Sequence, residues 1–395
     1  MKRFGLKLFC GSTVFLALGL SHVPPAGAAE EYERFLEGLR RKGYFDVAVD
    51  YLDLMANSPL LTESQKQMIP YEAARTNLEA SRSERDNVNR EKLLDAAKAK
   101  FQEFVAKNAS HPQAPGAETQ MGAVLVERGR AKVETGLRPE FEKDKAKLMT
   151  DARKYFDEAE TVFVAAEKKF ADLLATFPKF MTPDDPRVAQ REKVKGDLIQ
   201  AHMFHAKGLY EKSRTYDDQS PDWKKALMTA ADKYGSIYRE YRTLIAGLMA
   251  RLKQGQCYKA LGDTRRALGL YNDLLTQPDE LAALRRLRVA AMYLSLECWT
   301  TEQEKLYELA FSQGEEYLTH LRPEEKAWPE WYAVRYFTAR GYFLAAAGLG
   351  PERADDRRAW LRRAGEQAEQ LAKEANPYQA AAADLAAEVA KAQAP

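Results

Sequence analysis

The chain has 395 residues, with 60 Lys or Arg against 58 Asp or Glu and 45% hydrophobic residues. That balance excludes a multi-span membrane protein and a largely disordered chain. The formal charge of +2 comes from residues 1–29, where Lys2, Arg3 and Lys7 stand without an acid; the other 57 bases face 58 acids, a net of −1. The bulk of the chain therefore has no basic field to draw it to nucleic acid or acidic lipid.

Residues 1–29 read as a secretory signal peptide. A basic start leads into the apolar stretch Leu8–Leu20, shorter than the roughly 20 residues that cross a bilayer. Ala26-Gly27-Ala28 then supplies the small-x-small pattern for cleavage before Ala29 or one residue later. The expected location is the periplasm or the extracellular space, with no integral membrane segment after cleavage. Cys10 sits inside the apolar run rather than at its end, so a lipid anchor is not expected. Only Cys257 and Cys298 remain in the mature chain.

The rest is rich in Ala, Leu, Glu, Lys, Arg and Gln, which favour helix. No segment shows sustained alternation of β-branched residues, so no sheet is expected. Prolines fall between the apolar-periodic runs and mark helix limits; Pro70 alone falls where it would start or kink a helix. The spacing predicts helices over 30–42, 45–57, 63–83, 88–108, 115–135, 140–176, 187–213, 221–245, 247–261, 264–276, 280–299, 302–320, 329–347, 354–374 and 377–392. Consecutive helices on short loops lie side by side. The expectation is an all-α chain of antiparallel hairpins: an N-terminal set over 30–177, a linker at 178–186, a C-terminal set over 187–376, and a capping helix and tail over 377–395.

One segment is more specific. Gly255, Tyr258, Gly262, Ala267 and Tyr271 fall at positions 8, 11, 15, 20 and 24 of a helix–turn–helix unit. In this they resemble the tetratricopeptide repeat. Small residues at 255 and 267 let two helices approach, the aromatics fill the groove beside them, and Gly262 ends the first helix. Weaker copies are Gly43, Ala48 and Leu52; Gly122, Leu125 and Gly129; Ala201, Phe204 and Gly208; Gly341, Leu344 and Gly348; and, for second helices, Ala97 with Phe101, Ala152 with Phe156 and Ala230 with Tyr234. Arg251 stands where the family pattern has Trp, and Pro278 comes one residue early. The small residues 122, 201, 255 and 341 are not spaced by multiples of 34. The resemblance therefore implies an irregular solenoid of stacked hairpins.

In that family the first helices line a concave groove that holds a partner segment. Matched by motif, the groove positions are Lys195, His202, His205, Gln256, Lys259, Arg335 and Tyr342. The resemblance thus implies a non-catalytic scaffold for a protein or peptide partner, with no cofactor and no nucleic acid. His202 and His205 share a helix face but have no carboxylate at i−3 or i−4 of His202 and no third ligand in view, so metal is not expected. Zincin, Walker and nucleophile-elbow motifs are absent. The aromatic run from Trp328 to Phe343 reads as core. The Arg clusters at 285–288 and 357–363 read as solvated helix faces. Cys257 and Cys298 fall about five residues out of register, roughly 8 Å along the axis, beyond disulfide reach. A second reading is a closed α/α toroid acting on polysaccharide, with a Tyr or His base near carboxylates in a central cleft. A third is a purely structural envelope protein.

Overall fold

The computed structural model describes residues 28–394 apart from 110 and 279. The expected signal segment lies outside the described residues except for Ala28 and Ala29. Fifteen α-helices and three short 3-10 turns make up the regular structure, and no strand occurs among the described residues. The helices are α1 (Ala28–Arg41), α2 (Phe45–Ala56), α3 (Glu63–Ser83), α4 (Asn87–Lys107), α5 (Ala114–Gly136), α6 (Lys145–Ala175), α7 (Val188–Ser213), α8 (Pro221–Tyr241), α9 (Ile245–Ala260), α10 (Thr264–Leu275), α11 (Ala282–Trp299), α12 (Tyr307–Thr319), α13 (Pro329–Ala347), α14 (Ala354–Lys373) and α15 (Gln379–Gln393). Local chemistry sets several starts. Thr62 and Gln65 form a capping box before α3, and the Asp86 and Asp263 carboxylates accept the backbone N–H of Asn89 and Arg266. Each such cap stabilises its helix by about 1 kcal/mol.

Three boundaries depart from the sequence reading by four or five residues. Pro139–Phe141 form a 3-10 turn, which delays α6 from 140 to Lys145. α8 ends at Tyr241 rather than 245, and Gly247 of α9 lies so close to the Tyr241 carbonyl that a side chain there would collide with it. α12 starts at Tyr307 rather than 302, because Lys305 takes a positive φ of 54° and the Leu306 N–H donates back to the Trp299 carbonyl. Pro70 sits inside α3.

The chain divides into two compact units at Ile237–Tyr238, within α8. The 178–186 segment thus joins α6 to α7, which pack on each other inside the first unit. In that unit α1 to α7 pack each on the next in order, and each odd helix also packs on the following odd one. Polar pairs fix the register of the odd row. Arg40 of α1 reaches Glu72 and Thr76 of α3, Arg82 of α3 reaches Glu127 of α5, and Gln120 and Glu127 of α5 meet Gln200 and Lys207 of α7. The α5–α7 pairs are both 80 residues apart, so the two helices run parallel, as first helices of successive hairpins must. The separations of 36, 45 and 80 residues along the row give an uneven repeat length, which the 31-residue α6 explains at its longest step.

Glycine opposite a large residue sets how closely α5 and α6 lie. Cβ atoms at Gly122, Gly129 and Gly136 would run into Phe163, Phe156 and Met149, three pairs that step by seven in opposite directions along the antiparallel helices. Phe101, Phe104, Phe156 and Phe163 form the centre of this unit's core, all nearly or fully excluded from solvent.

The second unit repeats the pattern with other residues. Its helices from α9 onward again pack in order, and α11 also packs on both α9 and α13. Gly255 faces the fully buried Tyr271, Ala267 is fully buried beside it, and Tyr258 packs on the same cluster under the Arg266 guanidinium. Gly262 holds a φ of 80°. Its N–H donates to Lys259 O and the next N–H to Tyr258 O, a helix-ending turn that only glycine takes without strain. The α1–α2 turn is built alike: Gly43 has a φ of 76°, and N–H groups 43 and 44 donate to Arg40 O and Leu39 O. The packing there is solved by different volumes. Leu36 and Leu52 are both buried where α9 and α10 set Gly255 against Tyr271.

Among the described residues no helix is long and apolar enough to cross a membrane. Cys257 and Cys298 are both free and buried, and burial pushes each thiol up to about 12.

Candidate functional site

Of the seven residues expected in a groove, three fall in the first unit and four in the second, and every one has a partner inside the chain. Lys195 is half-exposed and pairs loosely with Glu192 at 3.8 Å. His202 and buried His205 both present Nδ1 to the same oxygen of Glu167 on α6, at 3.0 and 2.9 Å. Lys233 of α8 holds the other Glu167 oxygen at 2.8 Å. Burial alone would raise the Glu167 carboxyl; the hydrogen bonds from His202, His205 and Lys233 outweigh it and hold the group well below the usual carboxylate range. The two histidines thus turn toward α6 and α8, not along the odd row. The third group beside them is a carboxylate 35 or more residues upstream, which helix spacing around His202 could not reveal. Among the described residues no group of three His, Cys, Asp or Glu is arranged to hold a metal ion.

In the second unit Gln256 accepts from Lys253, and Lys259 pairs with Glu297 of α11. Arg335 pairs with Glu374 at 2.9 Å and lies over the Trp331 ring. Tyr342 is buried and stacked on Phe311 with ring centroids 4.0 Å apart, within the second unit's core cluster. Burial and the neighbouring Glu315 both raise its phenol. Tyr336 and Phe337 of the aromatic run are core as well, and Tyr336 stacks on Tyr378. The arginine cluster at 285–288 differs from a solvated face: Arg285 and Arg286 reach across to Glu325 and Glu330 at 2.7 and 3.1 Å. In the other cluster Arg358 and Arg362 do pair within their own helix, and Arg363 bonds Glu315 of α12.

The densest polar arrangement is one that motif positions missed. On α5 and on α7 with its C-terminal cap, the charges Glu127, Arg130, Glu134 and Lys207, Glu211, Arg214 recur at three- and four-residue spacing. Parallel packing brings the two lines together. Glu127 is buried and receives Arg82 at 3.2 Å, Lys207 at 3.0 Å and Arg130 at 2.6 Å. Arg130 also lies 3.6 Å from buried Glu211, which Arg214 holds at 2.8 Å, and Arg90 takes Glu134 at 2.6 Å. The three cations outweigh the desolvation of Glu127 and hold it well below the usual range. The carboxylates lie underneath and the more exposed Arg82, Lys207 and Arg214 lie above them. Arg82, Glu127 and Lys207 close over Ala123, Val126 and Phe204 where α3, α5 and α7 meet, with no room for a water between them. Toward the other end of the same row, burial raises the Asp197 carboxyl to about 6, with Lys193 only partly opposing.

This arrangement can bind polar and charged groups on a rigid face. It does not place a nucleophile beside a base or a pair of carboxylates across a cleft. A cleft of about 650 Å³ lies between α2 and α4 over the end of α3, where the even helices stand apart; Asp46, Asp50, Asn77 and Arg85 line it. No protein-family model matches the chain, and no curated protein matches it significantly.

Proposed function

We propose that this chain is an exported, non-catalytic scaffold of tetratricopeptide-like hairpins that binds a protein or peptide partner along its odd-helix face. One observation carries the reading. In the first unit the odd helices touch in order and are joined by cross-helix polar pairs, Arg40–Glu72 between α1 and α3, Arg82–Glu127 between α3 and α5, and Arg130–Glu211 between α5 and α7. Charges held in place by neighbouring helices form a pre-organised surface, which lowers the ordering cost of binding an extended segment. The matching turns at Gly43 and Gly262 and the small-against-large packing at Gly255 and Gly129 support the repeat reading. Export rests on the basic, apolar and small-residue order of residues 1–29.

A photo-crosslinking residue at position 82 or 207, on the odd face, is expected to capture a partner from the native envelope fraction. The same residue at exposed Val164 on α6 is expected not to. Equal capture from both faces, or capture from Val164 alone, would overturn the docking face. N-terminal sequencing of the exported chain tests the cleavage expected before Ala29 or Glu30.

A further inference from the structure

Asp197 of α7 is a partly buried carboxylate that makes no hydrogen bond and no ion pair among the described residues. Burial raises its carboxyl, and Lys193, one turn earlier and exposed, offsets this only in part without reaching ion-pair distance. The register of α5 against α7 shows why no partner is at hand. Gln120 meets Gln200 and Glu127 meets Lys207, both 80 residues apart. The same offset sets Asp197 against Ala117, beside Gly116, where α5 has no polar side chain to give. Arg191 and Lys195 stand about 120° and 160° round α7 from Asp197, and Lys195 turns to Glu192.

Gln113, at the start of α5, is left short in the same way. It is 8% exposed, its side-chain N–H donates to the Tyr71 hydroxyl of α3, and its amide oxygen is buried without a donor. The Asp197 charge acts on that same Tyr71 hydroxyl, so carboxylate, amide and phenol share one corner of α3, α5 and α7. The Lys193 charge acts on His111, whose Nδ1 accepts the Gln113 backbone N–H at 3.1 Å, and on Glu33 of α1. Glu33 is exposed, makes no ion pair among the described residues and borders the corner from the α1 side. The oxygens of Asp197, Gln113 and Glu33 are thus acceptors that lack a cationic donor. An unmet buried acceptor weakens a fold by about 1–3 kcal/mol. Groups kept in that condition gather where ligands bind.

We propose that this corner seats an alkylammonium or guanidinium group between the Asp197 carboxylate and the Gln113 amide oxygen, and that the group is a Lys or Arg side chain of the segment held on the odd-helix face. The source of the cation rests on the docking reading above; the seat itself does not. Asp197 lies ten residues before Lys207 on α7, about 15 Å along the axis, so one extended segment can span both.

Titration calorimetry of the purified chain at pH 8 tests it with three probes. Acetyl-Ala-Lys-Ala-amide carries the ammonium, its norleucine counterpart keeps the alkyl chain without the charge, and n-butylamine supplies the ammonium without a peptide. The lysine peptide is expected to bind and the norleucine peptide not to. Asp197→Asn should weaken the lysine peptide by roughly tenfold or more. The same variant is expected to gain stability, so misfolding does not explain the loss. Lys193→Ala removes a competing charge and should tighten binding. Uptake of neither the lysine peptide nor butylamine overturns the proposal. So do equal binding of the lysine and norleucine peptides, indifference to Asp197→Asn, and loss of binding in Lys193→Ala. Butylamine binding as tightly as the lysine peptide would keep the seat and overturn the partner segment as its source. Failed capture at positions 82 and 207 would remove the docking face and leave the seat to stand on the calorimetry.

Discussion

Replacing Gly129 by Ala tests the packing that brings α5 and α6 together. A Cβ at this position would lie 2.7 Å from both Cε1 and Cζ of Phe156. Carbon atoms rest at about 3.5–4.0 Å, so the ring must retreat by about 1 Å. Phe156 is 1% exposed and surrounded by other core side chains, which leaves it nowhere to go without displacing them. Overpacking of this kind costs about 1–3 kcal/mol. Alanine returns about 1 kcal/mol through its better helix propensity. The expected net is a loss of about 1–2 kcal/mol, read as a lower urea midpoint by circular dichroism with an unchanged slope. Gly196→Ala in α7 is the internal control: nothing lies within 4 Å of its Cβ, so only the propensity gain remains, and the midpoint should rise. Gly129→Ala combined with Phe156→Leu should lose at least about 1 kcal/mol less than the two separate losses together, because the methyl occupies space the ring has left. A Gly129→Ala protein as stable as the parent, or strictly additive losses in the double variant, would refute the close-approach argument.

Glu127→Gln leaves Arg82, Arg130 and Lys207 around a neutral amide and should cost about 3 kcal/mol at neutral pH. The sign with pH follows from the lowered carboxyl: the unfolded chain takes up a proton near pH 4.5 that the folded one still refuses, so the advantage is complete above that range and drains away as pH falls. The gap between parent and variant in urea should therefore shrink from pH 6 to pH 3; a constant gap counts against the network. Asp197 behaves oppositely. Its carboxyl is raised from 3.8 to about 6, so the fold loses stability as pH climbs through that window. Asp197→Asn should stabilise the protein at pH 7 by on the order of 1 kcal/mol, discounted for partial exposure, and by nothing below pH 4; a loss at both pH values would contradict the burial argument. The Tyr271 hydroxyl is buried without a hydrogen-bond partner. Tyr271→Phe should therefore be neutral or stabilising by up to about 1 kcal/mol in the same assay, and a clear loss would reveal a bond to the hydroxyl. Cys257 and Cys298 should resist iodoacetamide at pH 8 in the folded protein and react once it unfolds, read by peptide mass; rapid labelling of the native chain would contradict their burial.

The helices were legible in the sequence because their signals are local. Proline positions, helix-favouring composition and the apolar period act within a few residues of chain. The turns at Gly43 and Gly262 were legible for the same reason, since the left-handed backbone each one needs selects glycine on the spot. Boundaries failed where a distant or strained contact decided them, as at Lys305 and at Gly247 against Tyr241.

The charged site was not legible in the same way. Motif register placed His202, His205 and Tyr342 in a groove, yet which side of α7 faces α5 depends on how parallel helices 80 residues apart come to rest. Glu127 and Lys207 each look like ordinary surface charges in their own segments. The sequence alone determined an all-helical chain and where nearly every helix begins and ends, since backbone hydrogen bonding and side-chain periodicity are short-range. Only the tertiary structure decided which polar groups meet, which are buried and which face solvent, because Coulomb and desolvation energies depend on separations through space that the order of residues does not contain.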